Sequence, residues 1–194
     1  MKNLFQKEFL NSLVDNHEFA YNKYRREELI ANFSRFKNDT PFSPRLNEWL
    51  TYWYNRHKEI FVFVDEDDFD PKDIKGTLQR YIARYNSHKK IVVWCGESDN
   101  TIFGEPHINH FFRAWHEYVH ITKNQNFSFL GESLVCAMQC GMLPNSWYLE
   151  RELIYIEIVA QNQFYSVNKK FVENQRHFCI SYMINPEVIF TRQE

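Results

Sequence analysis

Apolar and polar positions alternate along this chain mostly with a helical period. Leu4, Phe5, Phe9 and Leu13, then Phe19, Tyr21, Tyr24, Leu29, Ile30, Phe33 and Phe36, recur at helical spacings among Lys, Arg and Glu, which predicts two amphipathic helices. Ser43-Pro44 supplies an N-cap and a first-turn proline for a third helix, which carries Leu46, Trp49, Leu50, Trp53 and Tyr54 and ends near His57–Glu59. Two runs break the helical period, Ile60–Val64 and Ile91–Trp94. Both are β-branched or aromatic with polar flanks, as strands are. Between them Asp70-Pro71 opens a helix with Ile74, Leu78, Tyr81 and Ile82 on one face, so the unit reads as a parallel βαβ crossover. Two strands alone make a poor sheet, and a third is expected from Val188–Thr191 or Phe178–Met183. From Pro106 onward three more helices are predicted, His107–Thr122, Leu130–Met142 and Trp147–Phe171. The expected architecture is a single mainly α (α+β) domain over 1–194, with strands near 60–64 and 91–94 in its N-terminal half and a helical region at 104–171.

Composition sharpens this picture at one point. Aromatic residues make up 18% of the chain, whereas the apolar share of 44% and charged share of 25% are those of ordinary globular domains, so the helices should pack through rings. A formal net charge of −2 supplies no global field for nucleic acid or anionic lipid. The first residues lack the apolar run of a signal peptide, and no stretch approaches a membrane span, so a cytoplasmic protein with reduced Cys95, Cys136, Cys140 and Cys179 is expected. No Gly-rich phosphate loop, G-x-S-x-G or C-x-x-C is present, which leaves nucleotide-binding, serine-hydrolase and thioredoxin chemistry without a motif.

Histidine placement is the strongest chemical signal. Four of the eight histidines, His107, His110, His116 and His120, fall in HINHFFRAWHEYVH. At 100° per residue, His110, Arg113, His116, Glu117 and His120 share about a third of the helix, opposite a face of Ile108, Phe111, Phe112, Trp115, Tyr118 and Val119. The segment 116–120 is H-E-x-x-H, in which imidazoles at i and i+4 can share one Zn²⁺ while Glu117 takes the proton of a water beside it. The bland alternative is a wet helix face with an Arg113–Glu117 ion pair of ~0.3–0.5 kcal/mol.

A third ligand is required, and two carboxylates are candidates. Glu132 follows Gly131 at the start of an apolar helix, where it could equally complement the helix dipole after a Ser128 cap. Glu157 lies on a stripe with Glu150 and Gln161 within apolar IYIEIVAQNQF, a placement that calls for a buried ligand or for pairing with Arg113. The run Asp65-Glu66-Asp67-Asp68 offers hard oxygens to a cation, but the Phe and Pro that follow favour a solvated turn. Cys136-x-x-x-Cys140 reads as core filling.

Phe112-Arg113-x-x-His116-Glu117-x-x-His120, Phe129-x-Gly131-Glu132 and Glu157-x-x-x-Gln161, taken together, resemble a group of bacteriophage and prophage proteins without an assigned activity, over about His107–Tyr165. The resemblance implies a virus-related origin, a bacterial host cell and a shared helical polar site, and supplies no reaction. Against the zincins the chain departs in its short His120-to-Glu132 gap and lack of a third His, and only Glu132…Met142-Leu143-Pro144 resembles repressor-cleaving metallopeptidases of mobile elements. The paired E-x-x-H motifs of di-iron bundles are missing, though Fe or Mn would suit such a site as Zn does. The expected activity is metal-dependent hydrolysis. His116, His120 and Glu132 or Glu157 would hold the metal, Glu117 would be the base, Arg113 would face developing negative charge, and His110 and Gln161 would complete the polar site. The rival expectation is a non-catalytic accessory protein that binds a host or virion protein, its His/Glu/Arg cluster being structural.

Overall fold

The computed structural model describes residues 18, 20–70 and 72–190. The expected helix through Leu4, Phe5, Phe9 and Leu13 lies outside them. The protein is mainly α with a small sheet. Helix α1 covers 20–32, α2 Pro44–His57, α3 Ile74–His88, α4 Pro106–Lys123, α5 Phe129–Met142, α6 Tyr148–Tyr155, α7 Gln161–Asn168 and α8 Gln175–Ile184, with strands β1 (Phe61–Val64) and β2 (Ile91–Trp94). The strands pair in parallel, Phe61 opposite Ile91 and Val64 opposite Trp94, and α3 is the crossover between them.

No third strand joins the sheet among the described residues. The described residues of both segments expected to supply one are helical instead. Asn174 accepts from the His177 backbone N–H at 3.0 Å and so caps α8, which buries Phe178, Cys179 and Met183. Beyond Pro186 the chain continues as a 3₁₀ turn to Phe190. The two-strand sheet is stable because α3 and α4 pack against β2.

Helix α4 is the hub of the molecule. Trp115 on α4 is fully buried, with the Trp49 and Trp53 rings of α2 at 4.5 and 6.2 Å, and Phe111 stacks on Tyr54 at 4.0 Å. These contacts are the ring packing expected from the composition, and they fix the rotation of α4 about its axis. The start of α4 is set by Gly104 at φ +78, where a side chain would also run into the backbone oxygen of Asp39.

Helices α6 and α7 form one rod, interrupted by a π turn over Ile156–Ala160. Such turns carry one extra residue and recur at functional sites. Glu150, on α6, is 1% exposed, and it accepts from Arg45 Nε and Nη2 at 2.8 and 2.7 Å and from the Ser43 hydroxyl at 2.6 Å. That pair, half-buried at Arg45 and buried at Glu150, fastens α6 to the start of α2. No helix among the described residues is long and apolar enough to cross a membrane.

Candidate metal centre

His116 and His120 stand one turn apart on α4, and α5 brings Glu132 to them across a tight reversal. The reversal begins at Asn124, which is left-handed at φ 53, so that the Gln125 N–H returns to the His120 carbonyl at 2.9 Å. Ser128 then caps α5 by accepting from Gly131 N–H at 3.2 Å. Gly131 is needed because a Cβ there would sit 1.8 Å from the Asn126 backbone oxygen. The Gly-Glu pair thus has a mechanical reading. Glycine permits the close approach, and the next residue is delivered to the histidines.

Three donor atoms converge. His120 Nε2 lies 3.0 Å from His116 Nε2, and Glu132 Oε2 lies 3.1 Å from His116 Nε2 and 3.4 Å from His120 Nε2. Tetrahedral coordination with bonds of ~2.0–2.1 Å separates its donors by ~3.3 Å, and the observed triangle is close to that. The outer ring nitrogens are occupied. His120 Nδ1 meets the Gln125 carbonyl at 2.8 Å, and because a carbonyl only accepts, this nitrogen carries the proton. His116 Nδ1 faces the Gln139 side-chain oxygen at 3.0 Å. Both rings therefore turn Nε2 lone pairs toward a carboxylate oxygen, and a cation must satisfy all three. The group His116, His120 and Glu132 can hold a metal ion.

Without metal, that cation is a proton. Burial opposes charge on His116, but the neighbouring carboxylates of Glu132 and Glu117 outweigh it and hold the imidazolium up to about 9. Burial likewise opposes charge on Glu132, and the two histidines outweigh it, taking the carboxyl down to about 2.

Glu117 is the fourth member of the cluster. Its Oε2 is shielded from solvent and has no hydrogen-bond partner. Burial raises its pKa, with the two histidines pulling in the opposite direction. No ion pair joins it to Arg113. The Arg113 guanidinium donates to the carbonyls of Trp94, Gly96 and Glu97 and covers the Trp94 ring, so it closes the end of β2. Of the five N–H donors of Arg113, the expected partner of developing negative charge, both on Nη1 and one on Nη2 are engaged by these carbonyls. His110 lies at the same strand end, its Nε2 3.1 Å from the Cys95 carbonyl.

Glu157 is not a ligand in this arrangement. It lies outside the donor triangle, on the π turn, where burial pushes its carboxyl up to about 8, with the neighbouring Gln161 side chain and the charge of Arg113 pulling the other way. Its Oε1 and the Gln161 Nε2 are buried without a hydrogen-bond partner. The acidic run 65–68 is an exposed loop, with Asp68 accepting from the Tyr81 hydroxyl and from Arg84, both at 2.7 Å. The cysteines are free.

Two contributors were not among the residues expected from the sequence, Gln139 and the Gln125 carbonyl. Gln139 is fully buried two turns after Glu132 on α5, and an amide at that position in an apolar helix was the available sign. The Gln125 carbonyl carries none, being backbone. Comparison of the chain with known protein families, with curated proteins and with solved structures finds no match.

Proposed function

We propose that this chain is a metal-dependent hydrolase of phage or mobile-element origin, with Zn²⁺ held by His116, His120 and Glu132. The observation that carries the reading is the donor triangle of 3.0, 3.1 and 3.4 Å, backed by acceptors at both Nδ1 atoms. Two nitrogens and a carboxylate oxygen suit Zn²⁺, and Fe²⁺ or Mn²⁺ are accommodated by the same set. The origin rests on the resemblance of 107–165 to phage and prophage proteins.

When bound, Zn²⁺ supplies Lewis acidity and an open position at which water becomes acidic near neutrality. The chain supplies the rest. Glu117, one residue from His116 and without a partner at Oε2, accepts the proton of the attacking water and passes it to the leaving amine. The water oxygen bonds to the acyl carbon, the C–N bond breaks, and acid and amine leave. His120 and His116 keep their orientation through Gln125 and Gln139.

Chelation tests the reading. Protein loaded with one equivalent of Zn²⁺ is expected to cleave a mixed peptide library, to lose that activity in chelator and to regain it on re-addition of metal. Stoichiometric metal without chelator-sensitive cleavage would instead favour a structural centre in an accessory protein that binds a host or virion partner.

A further inference from the structure

Helix α5 is apolar on two opposite sides, and only one of them is covered. At ~100° per residue, Glu132, Val135, Cys136 and Gln139 form its inner side, while Leu130, Leu134, Ala137 and Gly141 fall within about 60° of one another on the side directly away from it. Val135, Cys136 and Gln139 are buried. The outer four are all exposed, Leu130 by 68% and Leu134 by 41%. Glu132 is the only charged residue of the helix, and it is turned inward to His116 and His120. A helix without a polar side belongs inside a protein rather than at its surface.

Gly141 is a second, independent sign that something covers this face. It is helical, its φ is not positive, and a Cβ there would meet nothing within 4 Å. Glycine inside a helix is less stable than alanine, and no neighbour among the described residues requires it. The steps 130, 134, 137 and 141 alternate four and three residues, as the seam of a helix pair does. Reversed on itself, the series sets 130 opposite 141 and 134 opposite 137, so each leucine of one copy meets a small residue of the other. Charge selects the same partner. Glu48 on α2, Arg80 on α3 and Lys123 on α4 are exposed, whereas the α5 seam carries no charge, and the surface that matches it in both charge and shape is the same seam on a second chain. The four seam positions leave on the order of 300 Å² of apolar surface uncovered per chain. With the polar rim that ordinary interfaces carry, a symmetric pair buries on the order of 1,000 Å² in total, the lower bound of a specific contact, which fits a weak, concentration-dependent dimer.

We propose that two copies of this chain associate through α5, antiparallel about a two-fold axis at the level of residues 135 and 136, with Leu130 packed on Gly141 of the partner subunit and Leu134 on Ala137 of the partner subunit. The metal centre lies on the other side of α5, so the pairing stands apart from the metal-hydrolase reading. Sedimentation equilibrium of the full-length, reduced protein from about 1 µM to about 500 µM tests it. The wild type is expected to pass from monomer to dimer across this range. Gly141→Leu should dimerise at least about tenfold more weakly, because leucine fills the space that Leu130 of the partner subunit takes. As a monomer at low concentration the same variant should resist urea at least as well as the wild type, since leucine is the better helix former, and this separates lost association from lost folding. Leu134→Lys and Ala137→Glu should each weaken self-association by at least about tenfold, while a one-to-one mixture of the two should associate again, because the register sets the introduced lysine opposite the introduced glutamate. A wild type that stays monomeric throughout, a dimer indifferent to these substitutions, or a mixture that stays monomeric while the wild type dimerises overturns the proposal. Monomeric wild type that floats with phosphatidylcholine vesicles would assign the face to a lipid surface and overturn it as well.

Discussion

Replacing Glu117 by Gln is expected to slow cleavage by ~10²–10⁴-fold while leaving one metal ion per chain, because the change removes a proton acceptor and no ligand. The donor triangle is complete without Glu117, so elemental analysis of the variant should match the wild type. Stability should hold or rise slightly, since the carboxylate oxygen lost is buried and unpartnered. Steady-state rates on a cleaved peptide, with metal content measured on the same preparation, check this. Metal loss together with marked destabilisation would show that Glu117 is itself a ligand, and the H-E-x-x-H assignment would fall.

Glu157→Gln should act on stability instead, with a sign that depends on pH. The folded-state carboxyl titrates at about 8, well above an ordinary glutamate, so the native chain holds a proton that the unfolded chain has released. The stability tied to that proton is complete below the unfolded value of ~4.3 and is lost as pH rises through the folded one. Across that window the loss is on the order of 3–5 kcal/mol. Metal-free wild type and variant should therefore unfold alike in urea at pH 4, and by pH 9 the variant should be the more stable by a few kcal/mol. Parallel stability curves from pH 4 to pH 9 would contradict a buried, neutral Glu157.

Much of the architecture is legible because periodicity reports burial. Trp49, Leu50 and Trp53 in α2, and Phe112, Trp115 and Val119 in α4, announce their faces by spacing alone, and Ser43-Pro44 marks the start of α2. The third strand failed for a physical reason. Phe178-Cys179-Ile180-Ser181-Tyr182-Met183 is β-branched and aromatic enough for a strand, yet Phe178, Cys179 and Met183 also share a helix face, and the Asn174 cap decides between the two. The π turn has no signature in residue type, since it adds a residue without changing composition.

The centre itself divides along the same line. His116, Glu117 and His120 are readable from i, i+4 geometry, and Glu132 from the short reversal that Gly131 permits. The choice of Glu132 over Glu157 is not readable, because it depends on how α5 and the π turn pack around α4. The acceptors of Arg113 are not readable either, because they are backbone carbonyls, which no residue pattern encodes.

The central claim is that His116, His120 and Glu132 bind one metal through two imidazoles and a carboxylate. Zinc K-edge X-ray absorption on protein loaded with one equivalent of Zn²⁺ addresses it most directly. The expected spectrum shows first-shell nitrogen and oxygen at ~2.0–2.1 Å and the multiple-scattering pattern of two imidazole rings. A sulfur shell at ~2.3 Å, or a spectrum without imidazole scattering, would place the metal elsewhere and contradict the account.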